Sequence, residues 1–223
     1  KAFNNDPYLS AQSRIDELMQ LKAAILEHQE PLLQALSKDF GCRSVDDSKM
    51  GDLMPTIMGI NYAIKHIKKW MKPAKRHVGV LFQPAKAFVM YQPLGVVGII
   101  TPWNYPLFLS LGPLTTALAA GNRAMIKMSE FTPATNIVIK SMLAGLFSND
   151  KVAVIMGGAD VAAHFSAQPF DHLLFTGSTR VGKMVMAAAA KNLTPVTLEL
   201  GGKSPTIIDD EINIKDAVSR FIL

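Results

Sequence analysis

From Val96 onward the chain alternates short apolar runs with segments of helical character, and no other feature constrains its fold as strongly. The runs Val96–Thr101, Ala124–Lys127, Val152–Met156, His172–Phe175 and Val196–Leu200 lack the in–out polar alternation of a half-exposed strand. Burial on both faces is therefore expected. Between them, Leu109–Ala120, Pro133–Leu146, Asp160–Ser166 and Arg180–Lys191 have helical composition, and Thr132 is placed to cap the second of these. Thr206–Ile208 reads as a further short strand. A last helix from about Asn213 runs into Phe221-Ile222-Leu223 and stops without a cap, like a chain cut inside an element. Repeated βα units of this length predict an α/β fold with a doubly wound, Rossmann-like parallel sheet over residues 96–223.

The first 84 residues read differently. Ile15, Leu18, Lys22, Ile25, Leu26, Gln29, Leu32, Leu33, Leu36 and Phe40 fall near helical spacing and are mostly apolar, with Pro31 tolerable only at a break or a new first turn and Asp39-Phe40-Gly41 as a stop. Met50, Leu53, Met54, Ile57, Ile60, Ile64, Ile67 and Met71 form a second apolar helical face that ends before Pro73. This helical region is expected to pack on the sheet. Ala87–Tyr91 is a β-rich run, set off from Val96 by the turn signal Gln92-Pro93-Leu94-Gly95.

Composition removes several function classes. At 49% hydrophobic and 18% charged, the chain can bury a large core and is not a disordered segment. No uninterrupted apolar run approaches the ~18 residues of a membrane span. The basic residues Lys65, Lys68, Lys69, Lys72, Lys75 and Arg76 read as a solvated helix face, since nucleic-acid binding calls for interleaved aromatics or a reader motif. A single cysteine, Cys42, excludes an internal disulfide; with no secretory leader in view, a reducing cytoplasm is the expected compartment.

Chemistry concentrates after the apolar runs, the edge where ligands bind in such sheets. Gly177 and Gly182 bracket a loop that opens a helix, the arrangement that receives a phosphate on free backbone N–H groups. The letters also nearly spell a P-loop, Gly177-x-x-x-x-Gly182-Lys183, but Met184 stands where a magnesium-holding hydroxyl belongs. Taken alone, the loop is as well read as a plain βα turn. Pro102-Trp103-Asn104-Tyr105-Pro106 offers one amide, Asn104, on a proline-fixed backbone, suited to hold a developing oxyanion. Lys127-Met128-Ser129-Glu130 follows the second run, where an acidic residue can take ribose hydroxyls. Glu199 stands in Leu198-Glu199-Leu200-Gly201-Gly202; an apolar strand end would desolvate it and raise its proton affinity, as a general base requires. No metal site is indicated.

Together Pro-Trp-Asn-Tyr-Pro (102–106), Ala-Leu-Ala-Ala-Gly-Asn (117–122), Lys-x-Ser-Glu (127–130), Phe-Thr-Gly-Ser-Thr-x-Val-Gly (175–182) and Leu-Glu-Leu-Gly-Gly-Lys-Ser-Pro (198–205) resemble the aldehyde dehydrogenase superfamily, from about Arg14 to the end. Residues 84–87, 92–100 and 191–200 are most similar to its class 3 branch, and within that to the bacterial coniferyl aldehyde dehydrogenase type. The resemblance implies NAD(P)-dependent oxidation of an aldehyde, of aromatic coniferyl type, to the acid through a cysteine thioester. It makes Asn104 the side-chain half of an oxyanion hole and Glu199 the base that activates water. It places Trp103, Lys127, Glu130, Gly177, Ser178, Thr179, Arg180, Val181, Gly182 and Leu200 around NAD or NADP. Lys127 and Glu130 would take the adenosine ribose, Ser178 the pyrophosphate, and Leu200 the nicotinamide end. Residues 85–95 would lead toward an oligomerisation region, and a homodimer is implied. Met128 departs from the proline usual in Lys-Pro-Ser-Glu. The nucleophilic cysteine would lie beyond Leu223; Cys42 matches no family motif, so this polypeptide alone is expected to give no turnover. A P-loop nucleotide hydrolase and a non-catalytic cofactor-binding relative are the alternative readings.

Overall fold

A computed structural model of the chain describes residues 2–221. It opens with a short helix α1 (Ala2–Asn5), followed by α2 (Ala11–Glu27) and α3 (Gln29–Phe40). Next come α4 (Val45–Ser48), a π-helical turn at Lys49–Leu53 and α5 (Met54–Trp70). Ser10 caps α2 by accepting from the Ser13 N–H, and Pro31 lies in the first turn of α3. Gly41 closes α3 in the left-handed conformation at φ 71°, where a side chain would be strained. A two-stranded antiparallel ribbon follows, β1 (Ala74–Arg76) with β2 (Ala87–Val89), and a 3-10 turn at Val80–Phe82 lies between them.

The main sheet then forms from β3 (Val96–Ile100), β4 (Arg123–Lys127), β5 (Val152–Ile155), β6 (His172–Gly177) and β7 (Val196–Leu200). Its helices are α6 (Phe108–Ala119), α7 (Pro133–Leu146), α8 (Ala159–Ser166) and α9 (Thr179–Ala190), and α10 (Ile214–Phe221) comes last. The strand order is β5-β4-β3-β6-β7, all parallel. The chain thus winds outward from β3 in one direction and then, through α8, in the other. This reversal is the doubly wound topology, and its switch point lies between β3 and β6.

Strand alternation divides the core. Val97, Ile99, Ala124 and Ile126 face α6, α7 and the N-terminal helices, so that Leu18, Leu21, Ile25, Leu32, Ile60 and Ile67 join Leu111, Leu114, Leu118 and Ile139 in one buried cluster. Ile100, Leu173 and Phe175 face the other way, against Phe165 and Phe170 and against Val185 and Ala189 of α9. Fully burying each such side chain contributes about 1.5–3 kcal/mol, and the first face holds most of them.

Two expected elements differ. Thr206–Ile208 has no regular structure; Ile207 is 92% exposed, and β7 is the last strand of the sheet. Only residues 87–89 of the Ala87–Tyr91 run form a strand. They pair with Ala74–Arg76, a lysine–arginine segment whose composition gave no strand signal. The expected final residues of the last helix, Ile222 and Leu223, lie outside the described residues.

Candidate active site at the carboxyl edge of the sheet

Parallel register brings the candidate residues to one edge. Ile100 pairs with Lys127 on one side and with Phe175 on the other, Thr176 pairs with Glu199, and Gly177 with Leu200. The segments 101–105, 127–130, 177–182 and 199–200 therefore leave neighbouring strand ends, and the first and third flank the switch point.

The Asn104 segment is fastened from below and from the side. Thr101 donates through both its N–H and its hydroxyl to the Lys127 carbonyl, at 3.1 and 3.2 Å. Ser110 Oγ donates to the Pro106 carbonyl at 2.6 Å. From the N-terminal helices, Arg43 Nη1 donates to the Asn104 carbonyl at 2.8 Å. The Arg43 guanidinium also lies 4.8 Å from the centre of the Phe40 ring and 4.5 Å from that of Tyr105. Asn104 and Trp103 themselves are exposed, and Trp103 lies against Phe40.

The Lys127 loop is equally fixed. Met128 is buried, and its N–H donates to the Ile155 carbonyl at 3.0 Å, a bond that proline could not make. Asn136 Nδ2 holds the Ser129 carbonyl at 2.6 Å. Lys127 turns its ammonium onto the Met128 carbonyl at 2.7 Å and toward Glu130 at 3.9 Å. Burial pushes the Lys127 ammonium below its ordinary pKa, against the pull of Glu130 and Asp160. Glu130 is exposed.

At the glycine loop, Ser178 is the N-cap of α9, its hydroxyl accepting from the Val181 N–H at 3.4 Å. Thr179 and Arg180 occupy the exposed first turn, which carries no acidic residue. Their N–H groups precede the helical ladder and point outward. A Cβ on Gly177 would lie 2.6 Å from the Phe175 ring, and one on Gly182 2.7 Å from Leu200. At both glycines the start of α9 approaches the ends of β6 and β7 closely, most tightly where Gly177 faces the buried Phe175 ring. This cradle fits a pyrophosphate: outward amides, a helix dipole and Arg180, in a first turn without acidic residues. It lacks the hydroxyl that a P-loop sets after its lysine to hold magnesium, since the apolar, exposed Met184 stands there.

Two expectations need correction. Thr132 does not cap α7 with its side chain; its hydroxyl is directed to Asn136. The cap comes instead from Asp39, whose carboxylate accepts from the Ala134 and Thr135 N–H groups at 2.9 and 2.8 Å. Glu199 is exposed rather than buried in an apolar strand end. Cys42 is exposed as well, in the loop between α3 and α4. Arg43 and Asp52 gave no signal in the sequence, because their partners lie more than fifty residues away, at Asn104 and Phe108.

Fold and edge together define a doubly wound α/β domain of the cofactor-binding class. The family model for "Aldehyde dehydrogenase family" matches residues 1–223, and the chain belongs to that family. It is 58% identical over 220 residues to a probable coniferyl aldehyde dehydrogenase of Pseudomonas aeruginosa, covering 99% of this chain and 46% of that one. Among solved structures, the substrate-bound state of Staphylococcus aureus AldH superposes with a TM-score of 0.90 at 38% identity, over 98% of this chain and 47% of that one. Mycobacterium tuberculosis aldehyde dehydrogenase complexed with NAD+ gives 0.80 at 28% identity, over 91% and 42%. The chain spans about half the length of these relatives.

Proposed function

We propose that this chain supplies the cofactor site, one oxyanion donor and the general base of an NAD(P)-dependent aldehyde dehydrogenase. The single observation that carries this reading is the convergence of four motif segments on one sheet edge at the switch point. Residues Gly177 to Gly182 hold the pyrophosphate on the first-turn amides of α9. Trp103 and Leu200 flank the dinucleotide, and Lys127 and Glu130 take its adenosine ribose. When bound, the nicotinamide accepts the hydride. Asn104 donates from its side-chain amide to the aldehyde oxygen as negative charge develops there. Glu199, accessible to water, takes a proton from the water that releases the acid. The likeness to coniferyl aldehyde dehydrogenase makes an aromatic aldehyde the substrate to test, and a homodimer the proposed assembly. The residue ranges 1–84, 85–95 and 96–223 are proposed as the helical, strand-bridging and cofactor units.

The test uses the 223-residue chain and the full-length protein that carries it. The chain alone should bind NAD+ with quenching of tryptophan fluorescence, and should give no NADH with coniferyl aldehyde or benzaldehyde. Magnesium-dependent ATP binding without NAD+ binding would instead establish the P-loop reading. In the full-length protein, Glu199→Gln should slow release of the acid and leave the first hydride transfer intact; a normal thioester lifetime argues against Glu199 as the base.

A further inference from the structure

We propose that Arg43, held by Asp52, is a positioning residue for Asn104: it fixes the peptide plane that aims the Asn104 side chain at the reacting oxygen. The inference rests on the reading of Asn104 as oxyanion donor. It begins with an asymmetry. Asn104 is exposed at the sheet edge, yet its backbone carbonyl is anchored at 2.8 Å by an arginine from a different region of the chain. That arginine has little freedom of its own. Its side chain is 7% exposed and lies against the rings of Phe40 and Tyr105. Its Nε donates to Asp47 at 3.0 Å, and its Nη1 lies 3.3 Å from Asp52 Oδ2.

Asp52 links this hold to the helix that starts behind Asn104. It is completely buried, and its Oδ1 accepts from the Phe108 N–H at 2.9 Å, at the first residue of α6. Its Oδ2 accepts no hydrogen bond among the described residues and lies 3.3 Å from Arg43 Nη1, whose positive charge compensates it. One carboxylate thus ties the N-terminus of α6 to the arginine that holds Asn104, and residues 104 to 108 are fixed at both ends. The π-helical turn that carries Asp52 fits against this segment: a Cβ on Gly51 would overlap Tyr105. π-helical turns recur at functional sites, where the extra residue re-aims a side chain. A bidentate-capable, planar guanidinium with flat rings beside it suits this task better than a lysine.

A donor displaced by about 1 Å can lose on the order of a hundredfold in rate. The test is a double-mutant cycle in the full-length protein, reading the first-turnover rate of NADH formation with benzaldehyde and the affinity for NAD+. Arg43→Gln should slow the first turnover by roughly ten- to a hundredfold with NAD+ affinity unchanged. In an Asn104→Ala background the same change should add little, because the group it aims is gone. Hydrogen exchange of a peptide covering residues 102–109 should quicken in Arg43→Gln. If that variant fails to fold, Arg43→Gln with Asp52→Asn removes the stranded buried charge and carries the same cycle. Equal losses in both backgrounds overturn the proposal while leaving Asn104 its role. An Asn104→Ala protein that keeps the wild-type rate overturns Asn104 as donor, and Arg43 as its positioner with it.

Discussion

Asp52 is subject to two opposing influences. Burial pushes its carboxyl up to about 6, while the Phe108 N–H, the Arg43 guanidinium and the Leu107 N–H favour its charged form, and Asp47 opposes it. The sign follows from linkage. Between the ordinary value of 3.8 and about 6 the folded chain binds a proton that the unfolded chain has released, so stability declines as pH rises through that window. Asn at this position accepts from the same Phe108 N–H and carries no charge. Asp52→Asn should therefore gain stability relative to the wild type as pH rises from 4 to 7, by up to on the order of 3 kcal/mol. Urea unfolding at several pH values measures this directly; a pH-independent difference would show that the Asp52 carboxyl does not titrate there. Asp150, by contrast, is exposed and is held below its ordinary value chiefly by the Ser148 hydroxyl, with Arg123 helping.

At the scale of elements, two helices of the first sheet face are capped from outside their own segments. Asp52 serves the start of α6 and Asp39 the start of α7. Asp39→Ala removes acceptors from two N–H groups and should cost about 0.5–2 kcal/mol, seen as a melting temperature lower by several degrees. Thr132→Ala at the position local logic would choose should not reproduce the loss of those two bonds. The contrast shows what was legible in the sequence. Strand β7 and helix α7 fall where apolar runs and helical composition place them, because both signals are local. The glycine loop was legible for the same reason, since Gly177 and Gly182 stand where an apolar run gives way to helical composition. Thr132 misled because a β-hydroxyl before Pro133 has the form of a cap, and only the fold reveals that Asp39 already fills the place. Lys127, expected at the adenosine ribose, is buried with its amine folded back on the Met128 carbonyl, which its place at a strand end in the sequence does not reveal. The exposure of Glu199 was equally beyond reach, because an apolar neighbourhood in sequence does not say which face of β7 is covered.

For the molecule as a whole, the ribbon of β1 and β2 stands apart from the main sheet, and the turn between its strands carries apolar side chains into solvent. Val80, Leu81 and Phe82 are 84, 91 and 70% exposed, and Phe88 and Tyr91 are also exposed. A surface of this kind usually marks an interaction site. If it carries the proposed homodimer, Leu81→Glu with Phe82→Ser in the full-length protein should shift light scattering from dimer toward monomer. An unchanged mass would place the subunit contact elsewhere. No helix among the described residues is long and apolar enough to cross a membrane.

The two borrowed caps also bear on how the chain folds. Asp39 and Ala134 are far apart along the polymer, and closing so long a loop carries an entropic penalty that a pair of hydrogen bonds cannot offset. The caps therefore cannot recruit the sheet. They form once Leu18, Ile25 and their partners on α6 and α7 have already brought the two regions together. They act as a latch, not a nucleus. In kinetic terms Asp39→Ala should leave the refolding rate nearly unchanged and quicken unfolding, giving a φ-value near zero. The helices made first in synthesis would then wait, carboxylates solvated, for helix ends that are translated almost a hundred residues later.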